Sequence, residues 1–393
     1  MIEGKIAKDF IPYGKQNINE EDIAHVVNVL QSKFLTQGPK VPAFEEEICK
    51  KVKSKYAIAT NSATSSLHIA CLSLGLSVND ILWTSPITFV ASANCALYCG
   101  AKIDFVDIDY ETGLMCTKSL EKKLIQAEKD GNLPKIVVPV HLSGTSCDMK
   151  LIYRLSVKYG FSIIEDASHA IGGKYFNEPV GSCKYSDIAI FSFHPVKIIT
   201  TGEGGVCTTN SEDLANIMRE LRSHGITKDR NKFLNKENNQ KWRYEQQRLG
   251  FNYRLTDISA ALGISQLKRL ENIVFERNKI FKNYINLIMN KPFKMNKIPE
   301  GIYSSLHLAI LRFEYFEWQE ILYENFRKYG VGTQVHYMPV HLQPFYKKLG
   351  FKEKDFPNAE NFSKTILSIP LYPELTNFDQ ERICEILNFI RLN

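Results

Sequence analysis

Ile188-Ala-Ile-Phe-Ser-Phe-His-Pro-Val-Lys-Ile-Ile-Thr-Thr-Gly-Glu-Gly-Gly205 decides how this chain is read. It opens as an apolar run of strand length, and Lys197 stands just beyond that run. Phe191, Phe193, Pro195, Val196, Ile198 and Ile199 give the lysine apolar neighbours in sequence, and Gly202, Gly204 and Gly205 allow a tight backbone approach to something bulky. Upstream, Phe161-Ser-Ile-Ile-Glu-Asp166-Ala-Ser-His-Ala170 repeats the pattern, with the acidic pair Glu165-Asp166 closing the apolar run. A lysine held against hydrophobic walls can lose its proton and attack a carbonyl, and an aspartate at a strand end can hold a buried cation. Together they point to a Schiff-base cofactor.

Outward from these two stretches, apolar runs and amphipathic stretches alternate. Runs at 56–60, 81–84, 103–106, 136–140, 161–164, 188–193 and 206–209 read as strands, and 65–74, 90–98, 118–128, 149–159 and 212–221 read as the helices between them. The fold class is therefore α/β, with a mostly parallel sheet covered by helices on both faces, and ligands of such sheets bind at the carboxyl ends of the strands. Asn19-Glu-Glu-Asp22 opens a helix with Ile23, Val26, Val27 and Leu30 on one face, and 44–52 reads as a second short helix. From Ile226 to Arg248 the pattern gives way to a polar stretch too long for an ordinary loop, which reads as functional or disordered. Thr256-Asp257 caps a long helical stretch running towards Met289. A smaller α/β unit follows, with strands at 306–313 and 331–335, a helix at 316–328 between them and a last helix at 378–390. The division falls near Gln266, giving a large domain over 1–265 and a small C-terminal domain over 266–393.

The 393 residues are 44% hydrophobic and 23% charged, which is globular composition with material for a large core or two domains. Net charge is +6 from 49 basic and 43 acidic residues, and no long basic run supports a nucleic-acid partner. Nine cysteines without a Cys-x-x-Cys indicate neither a disulfide framework nor a zinc knuckle, and read as buried thiols in a reducing cytoplasm. The histidines show no metal-ligand spacing, so no metal is expected. With no apolar run long enough to span a bilayer, the reading is of a cytoplasmic protein without a membrane partner.

Three further features bear on chemistry. Asn61-Ser-Ala-Thr-Ser-Ser66 follows the first clear strand and opens a helix, so its backbone amides form either an ordinary cap or a phosphate site. Phe89 is either core or a platform for an aromatic ring. Asp166 needs backbone donors or a cation: it caps the turn over Ser168 and His169, or it pairs with a protonated pyridine nitrogen. Dinucleotide, P-loop and nucleophile-elbow fingerprints are missing.

Taken in order, Phe34-Leu-Thr-Gln-Gly-Pro39, Asn61-Ser-Ala-Thr64, Glu165-Asp-Ala-Ser-His-Ala170, Ser192-Phe-His-Pro-Val-Lys197, Thr201-Gly-Glu-Gly-Gly205 and Gly250-Phe-Asn-Tyr-Arg-Leu-Thr-Asp257 resemble the DegT/DnrJ/EryC1/StrS family of nucleotide-sugar aminotransferases. The resemblance runs from about Ile11 almost to the C-terminus. It implies the aspartate-aminotransferase fold (fold type I), pyridoxal 5'-phosphate (PLP) as cofactor, and a homodimer with shared active sites. It implies Lys197 as the cofactor-linked lysine, Asp166 as partner of the pyridine nitrogen and Phe89 against the ring. It also implies Ala63, Thr64 and Ser192 at the phosphate, Asn252 reaching that phosphate from the second subunit, and His169 beside the ring where relatives vary. The 226–248 loop would approach the partner's nucleotide sugar. A narrower likeness, to members acting in pseudaminic acid synthesis, rests on Ile11-Pro-Tyr-Gly-Lys-Gln16, Phe193-His-Pro-Val-Lys197, Tyr244-Glu-Gln-Gln247 with Phe251-Asn-Tyr-Arg254, and Val335-His-Tyr-Met-Pro-Val-His-Leu-Gln343. It implies transfer of the amino group of L-glutamate to carbon 4 of a UDP-linked 2-acetamido-2,6-dideoxy-4-keto-hexose.

Three rival readings stand beside it. A related branch of the fold removes a sugar hydroxyl, but it resembles this chain with histidine where Lys197 stands. Another nucleotide-sugar aminotransferase would act on a D-configured 4-keto sugar or at carbon 3. A non-enzymatic regulator or structural dimer would keep the site without using it.

Overall fold

The computed structural model describes residues 10–234 and 240–389. Its centre is a sheet of seven strands: β1 (Tyr56–Thr60), β2 (Ile81–Thr84), β3 (Lys102–Phe105), β4 (Ile136–Val138), β5 (Ser162–Asp166), β6 (Ile188–Ser192) and β7 (Gly205–Thr209). The order across it is β1-β7-β6-β5-β4-β2-β3. β7 runs against both neighbours, and the pairings among the other strands are parallel. Each apolar run read from the sequence forms one of these strands, two of them at the same bounds and the others with ends shifted by one or two residues.

Period-two alternation sends neighbouring side chains into different cores. Ile58, Ile188, Ile190 and Cys207 join Leu67 and Ile69 of α3 (Ala63–Ser73) and the apolar side chains of α4 (Ala91–Tyr98), α5 (Thr117–Asp130), α6 (Met149–Tyr159) and α7 (Glu212–Arg222). Ala57, Ala59, Phe191, Phe193 and Val206 join Phe44 and Ile48 of α2 (Lys40–Val52) instead. A sheet buried on both sides needs runs that are apolar throughout, and β4, β6 and β7 are buried at every position.

The single long helical stretch expected after Thr256 is two helices, α8 (Asp257–Lys268) and α9 (Leu270–Ile288), separated at Arg269. Thr256 caps α8, while the Asp257 carboxylate turns back and accepts the amides of Gly38 at 2.7 Å and Lys40 at 2.8 Å, capping α2. The first turns of α9 pack Leu270, Ile273 and Val274 against the α2 side of the sheet. Its later turns carry Ile280, Phe281, Tyr284 and Ile288 into a third core with Ile11 and the C-terminal strands.

Those strands differ from the expectation. The small sheet is antiparallel and is made of β8 (Phe293–Met295), β9 (Ala309–Phe313) and β10 (Ile366–Ile369), with β9 in the middle. The helix expected between strands is α10 (Trp318–Lys328). The 331–335 stretch is not a strand; Val331 bridges Ile11 and Gln334 bridges Ser368, and otherwise the segment is irregular. Its apolar residues are too few and too close to Gly330, Gly332 and Pro339 to sustain a ladder.

α1 (Glu20–Leu30) begins at the expected cap, Asn19 with Asp22, but its orientation reverses the apolar pattern. Asp22 is buried, because it accepts Gln266 Nε2 and Arg269 Nη2, each at 2.6 Å. Ile23 at 48%, Val27 at 40% and Leu30 at 55% face outward. The described part of the polar 226–248 stretch is held by a short strand pairing, by ion pairs and by the buried Phe233, which lies under Arg243. Ile226–Thr227 pairs with Glu245–Gln246, and Glu220 receives Lys232 at 3.1 Å and Arg248 at 2.8 Å. Residues 235–239 of this stretch lie outside the described residues. All nine cysteines are free thiols, and among the described residues no helix is long and apolar enough to cross a membrane.

Candidate active site

The carboxyl ends of β1, β5 and β6 open onto one cleft of about 820 Å³. Of the eight site residues read from the sequence, Ala63, Thr64, Phe89, Asp166, His169, Ser192 and Lys197 line it.

At the end of β1 the chain turns through Asn61-Ser62 into α3. Ser62 Oγ accepts the Ser65 amide at 3.1 Å, which leaves Ala63 and Thr64 as first-turn donors with no carbonyl behind them. Thr60 Oγ1 braces the turn by donating to Ser62 O at 2.8 Å. β7 passes so close beneath that a Cβ on Gly205 would lie 2.5 Å from the Ala63 nitrogen. Ser192, the last residue of β6, adds a hydroxyl on the same side of the cleft. The result is a cluster of open amides and hydroxyls at a helix start, the arrangement that holds an anion.

Asp166, 6% exposed at the end of β5, caps the turn after it, the first of the two readings the sequence left open. It accepts the Ser168 amide at 3.1 Å on Oδ1 and the Ser92 hydroxyl on Oδ2, and it faces the cleft. Ser92 is backed by Thr88 Oγ1 at 2.7 Å, so the carboxylate is fixed from α4. Glu165 lies on the other side of the strand, bound to His141 Nε2 at 2.8 Å and to Ser186, and stays out of the cleft.

Lys197 follows a turn in which its amide donates to His194 O at 2.9 Å. Burial pulls its pKa down from 10.5 to about 8, against the opposing pull of Asp166. Of its apolar neighbours in sequence, Val196 lines the cleft, while Phe191, Phe193, Ile198 and Ile199 pack into the core below. The cleft is also lined by aliphatic side chains such as Leu67, Val140 and Val335 and by the rings of Tyr13, His169, His307, His336 and Tyr337. Burial holds His169 and His307 well below the usual imidazole range and His336 at about 3, and the charge of Lys197 adds to each shift. The three rings are neutral. His169 Nε2 meets Tyr337 Oη at 3.1 Å, and His307 lies 4.3 Å from His169, centroid to centroid. Phe89 is 59% exposed and faces Tyr337 at 6.4 Å.

Asn252 is not in this cleft. It is exposed on a segment pinned by Phe251 N to Leu221 O at 2.7 Å and Tyr253 N to Arg222 O at 3.0 Å. Tyr13, His307, Gln334, His336 and Tyr337 belong to the cleft without having been picked out as site residues. Tyr13, His336 and Tyr337 lie in the stretches that carry the narrower likeness, which was their one signal, while His307 and Gln334 lie in runs read as strands and had none. Among the described residues no three His, Cys, Asp or Glu side chains are grouped to hold a metal.

The sheet with its single reversed strand, the helix start beneath the anion site and the lysine turn first define a class: an α/β enzyme of the aspartate-aminotransferase fold. Residues 16–388 match the model of the DegT/DnrJ/EryC1/StrS aminotransferase family, and the chain belongs to that family. It is 41% identical over 380 residues, 96% of each chain, to the UDP-4-amino-4,6-dideoxy-N-acetyl-beta-L-altrosamine transaminase of Campylobacter jejuni. It is 36% identical over 388 residues, 97% of each chain, to the spore coat polysaccharide biosynthesis protein SpsC of Bacillus subtilis. Among solved structures it superposes on Helicobacter pylori PseC, an aminotransferase involved in the biosynthesis of pseudoaminic acid, with a TM-score of 0.87, 30% identity and coverage of 97% of this chain and 98% of that one. The PLP form of Spr1654 from Streptococcus pneumoniae gives 0.86 at 27% identity, covering 96% and 97%. The chain is a nucleotide-sugar aminotransferase of a PLP-dependent family.

Proposed function

We propose that this chain binds PLP and moves the amino group of L-glutamate to carbon 4 of a UDP-linked 2-acetamido-2,6-dideoxy-4-keto-hexose of L-configuration, as a step of pseudaminic acid synthesis. The observation that carries this reading is Lys197, with its pKa pulled down to about 8, sharing one cleft with the buried Asp166 and the open amides of α3. The 41% identity to the altrosamine transaminase supports the choice of sugar.

The residues fit the cofactor. Ala63, Thr64 and Ser192 would hold its phosphate, Phe89 would lie against its ring, and His169 would stand beside it. Asp166 would meet its ring nitrogen through a charge-assisted bond worth roughly 1.5–3 kcal/mol. Bound there, PLP supplies an electron sink for negative charge on the substrate carbon. Lys197 does the proton work: as a free amine it takes the alpha proton of glutamate, and in the second half-reaction it moves the proton in the reverse sense at carbon 4 of the sugar. Neutral His169, His307 and His336 add no positive charge that would compete with Asp166 or hold the lysine's partners apart.

The working unit in this reading is a homodimer, with Asn252 delivered from each chain to its partner's phosphate site. Two features support it. The outward apolar face of α1 continues into Phe34 and Leu35, which are 54% and 48% exposed, and is a surface that a second copy would cover. The cleft also carries Asp166 and Glu203 against Lys197 alone, too little positive charge for a nucleoside diphosphate. We place the division between a large unit, 1–265, and a small one, 266–393; α9 passes from one core to the next between Val274 and Ile280, some way beyond that boundary. Free thiols throughout agree with a reducing cytoplasm.

Colour tests the reading. The purified protein should be yellow, bleach with glutamate, and recover colour with the UDP-4-keto sugar in preference to dTDP- and GDP-linked or 3-keto sugars. Borohydride reduction should fix the label on the peptide containing Lys197. A label elsewhere, or none, discards the assignment.

A further inference from the structure

Glu203 is the only carboxylate besides Asp166 among the described residues lining the cleft, and its side chain is 67% exposed there on a fixed backbone turn. It sits between Gly202, at φ 81°, and Gly204, where a Cβ would lie 2.2 Å from Thr201 Oγ1. Thr201 Oγ1 donates to Glu203 O at 2.7 Å, the Gly202 amide to Thr200 Oγ1 at 2.9 Å, and the Phe193 amide to Gly204 O at 2.9 Å. The turn is therefore fixed on both sides of the residue. The side-chain carboxylate makes no hydrogen bond among the described residues, and its nearest basic atom is His194 Nε2 at 4.0 Å.

That placement conflicts with the charge of both substrates in the proposed function, on which this inference rests. Glutamate brings two carboxylates and the sugar nucleotide a diphosphate, and like charges repel more strongly as water leaves a closing site. An anion at this place favours a part of a substrate that carries hydrogen-bond donors and no negative charge. The hexose ring, with its hydroxyl and its acetamido N–H, is such a part, whereas the one donor of glutamate, its amino group, is committed to the reacting centre. We propose that Glu203 is a specificity-determining residue: its carboxylate accepts hydrogen bonds from the hydroxyl and amide N–H groups of the keto sugar, and it disfavours carboxylates at the same place.

The two half-reactions can be recorded separately on the holoenzyme, as bleaching by glutamate and recovery of colour with the keto sugar. Glu203→Gln should raise KM for the sugar tenfold or more while KM for glutamate stays level or falls, and Glu203→Asp should lie between the variant and the parent. Calorimetry should show the same tenfold loss for the UDP-amino sugar product, with UDP itself binding as in the parent. A sugar KM unchanged in Glu203→Gln overturns the proposal. So does an equal loss in both half-reactions, which would make Glu203 part of the scaffold. If the parent protein neither bleaches with glutamate nor recovers with any keto sugar, the underlying reading falls and takes this one with it. An active parent with an indifferent variant removes this one alone.

Discussion

Glu165 and Asp166 are neighbours in sequence with separate surroundings, because strand side chains alternate. Asp166→Asn keeps the shape but loses the charge meant for the ring nitrogen. Turnover should fall roughly 10- to 150-fold, the rate equivalent of about 1.5–3 kcal/mol, with the melting temperature near the parent's. Glu165→Gln should do the opposite: it weakens the contacts to His141 and Ser186, costs about 1–3 kcal/mol in denaturant titrations, and leaves turnover within about twofold. Lys197 makes a prediction through pH. Its folded-state pKa of about 8 lies below the ordinary 10.5, so the unfolded chain binds that proton more tightly. The penalty on folding is fully present below pH 8 and fades towards pH 10.5. Lys197→Met should therefore raise the melting temperature of the cofactor-free protein at pH 7, with a gain that shrinks as pH rises. In the parent, the rate of recombination with PLP should climb with pH and level off above about 8, where the amine is neutral. A rate still rising tenfold per pH unit beyond pH 9 would refute the depressed value. Asp166 was legible in the sequence because it closes an apolar run, where strand geometry aims side chains at the ligand edge, and Lys197 because it stands just beyond such a run. Tyr13, His307, His336 and Tyr337 were not, because they reach the cleft from three distant segments without any local spacing that marks them.

Among the elements, the start of α3 depends on a strand that does not itself line the cleft. Gly205 opens β7, and a Cβ there would meet Ser62 and the Ala63 nitrogen at 2.5 Å, all backbone atoms with no flexible end to swing aside. Gly205→Ala must therefore push the turn outward or tilt β7. Because β7 is fully buried between β1 and β6, the turn is the part that gives. The expected result is a tenfold or greater loss of PLP affinity in equilibrium dialysis, with the circular dichroism of the sheet retained. Parent-like affinity would show that the amides of Ala63 and Thr64 tolerate displacement. The same scale explains which elements sequence reading found. The runs that became β1 to β7 are apolar and alternate with amphipathic helices, so pattern and fold agree. β8 is Phe293-Lys294-Met295, interrupted by a lysine, and β10 stops at Ile369, just before Pro370, so neither makes a run that stands out. α1 was found with its cap, but its buried face was not foreseeable. The burial of Asp22 is decided by Gln266 and Arg269, which lie far along the chain.

For the whole molecule, three cores meet around one cleft, with Lys197 and Asp166 supplied by the sheet and His307, His336 and Tyr337 by the part that follows α9. Asn252 stands outside this arrangement. Its flanking residue Tyr253 accepts the Asn61 amide at 2.9 Å, so the segment is braced against the chain's own anion site while the Asn252 side chain is directed elsewhere. In a two-fold dimer of the proposed kind, each chain gives Lys197 to one site and Asn252 to the other, so defects in the two residues fall on different sites. Lys197→Ala should be inactive as a homodimer. Asn252→Asp should be nearly so, because it sets a carboxylate against the cofactor phosphate. Unfolded together and refolded as an equal mixture, half of the dimers are hybrids, and each hybrid has one site with Lys197 and Asn252 both intact. Turnover should return to roughly a quarter of the parent's. A chain that completes its own site gives no such recovery, since every site then carries one defect or the other. Light scattering on the same mixture separates the outcomes: dimers without recovery overturn the exchange of Asn252, and monomers overturn the dimer itself.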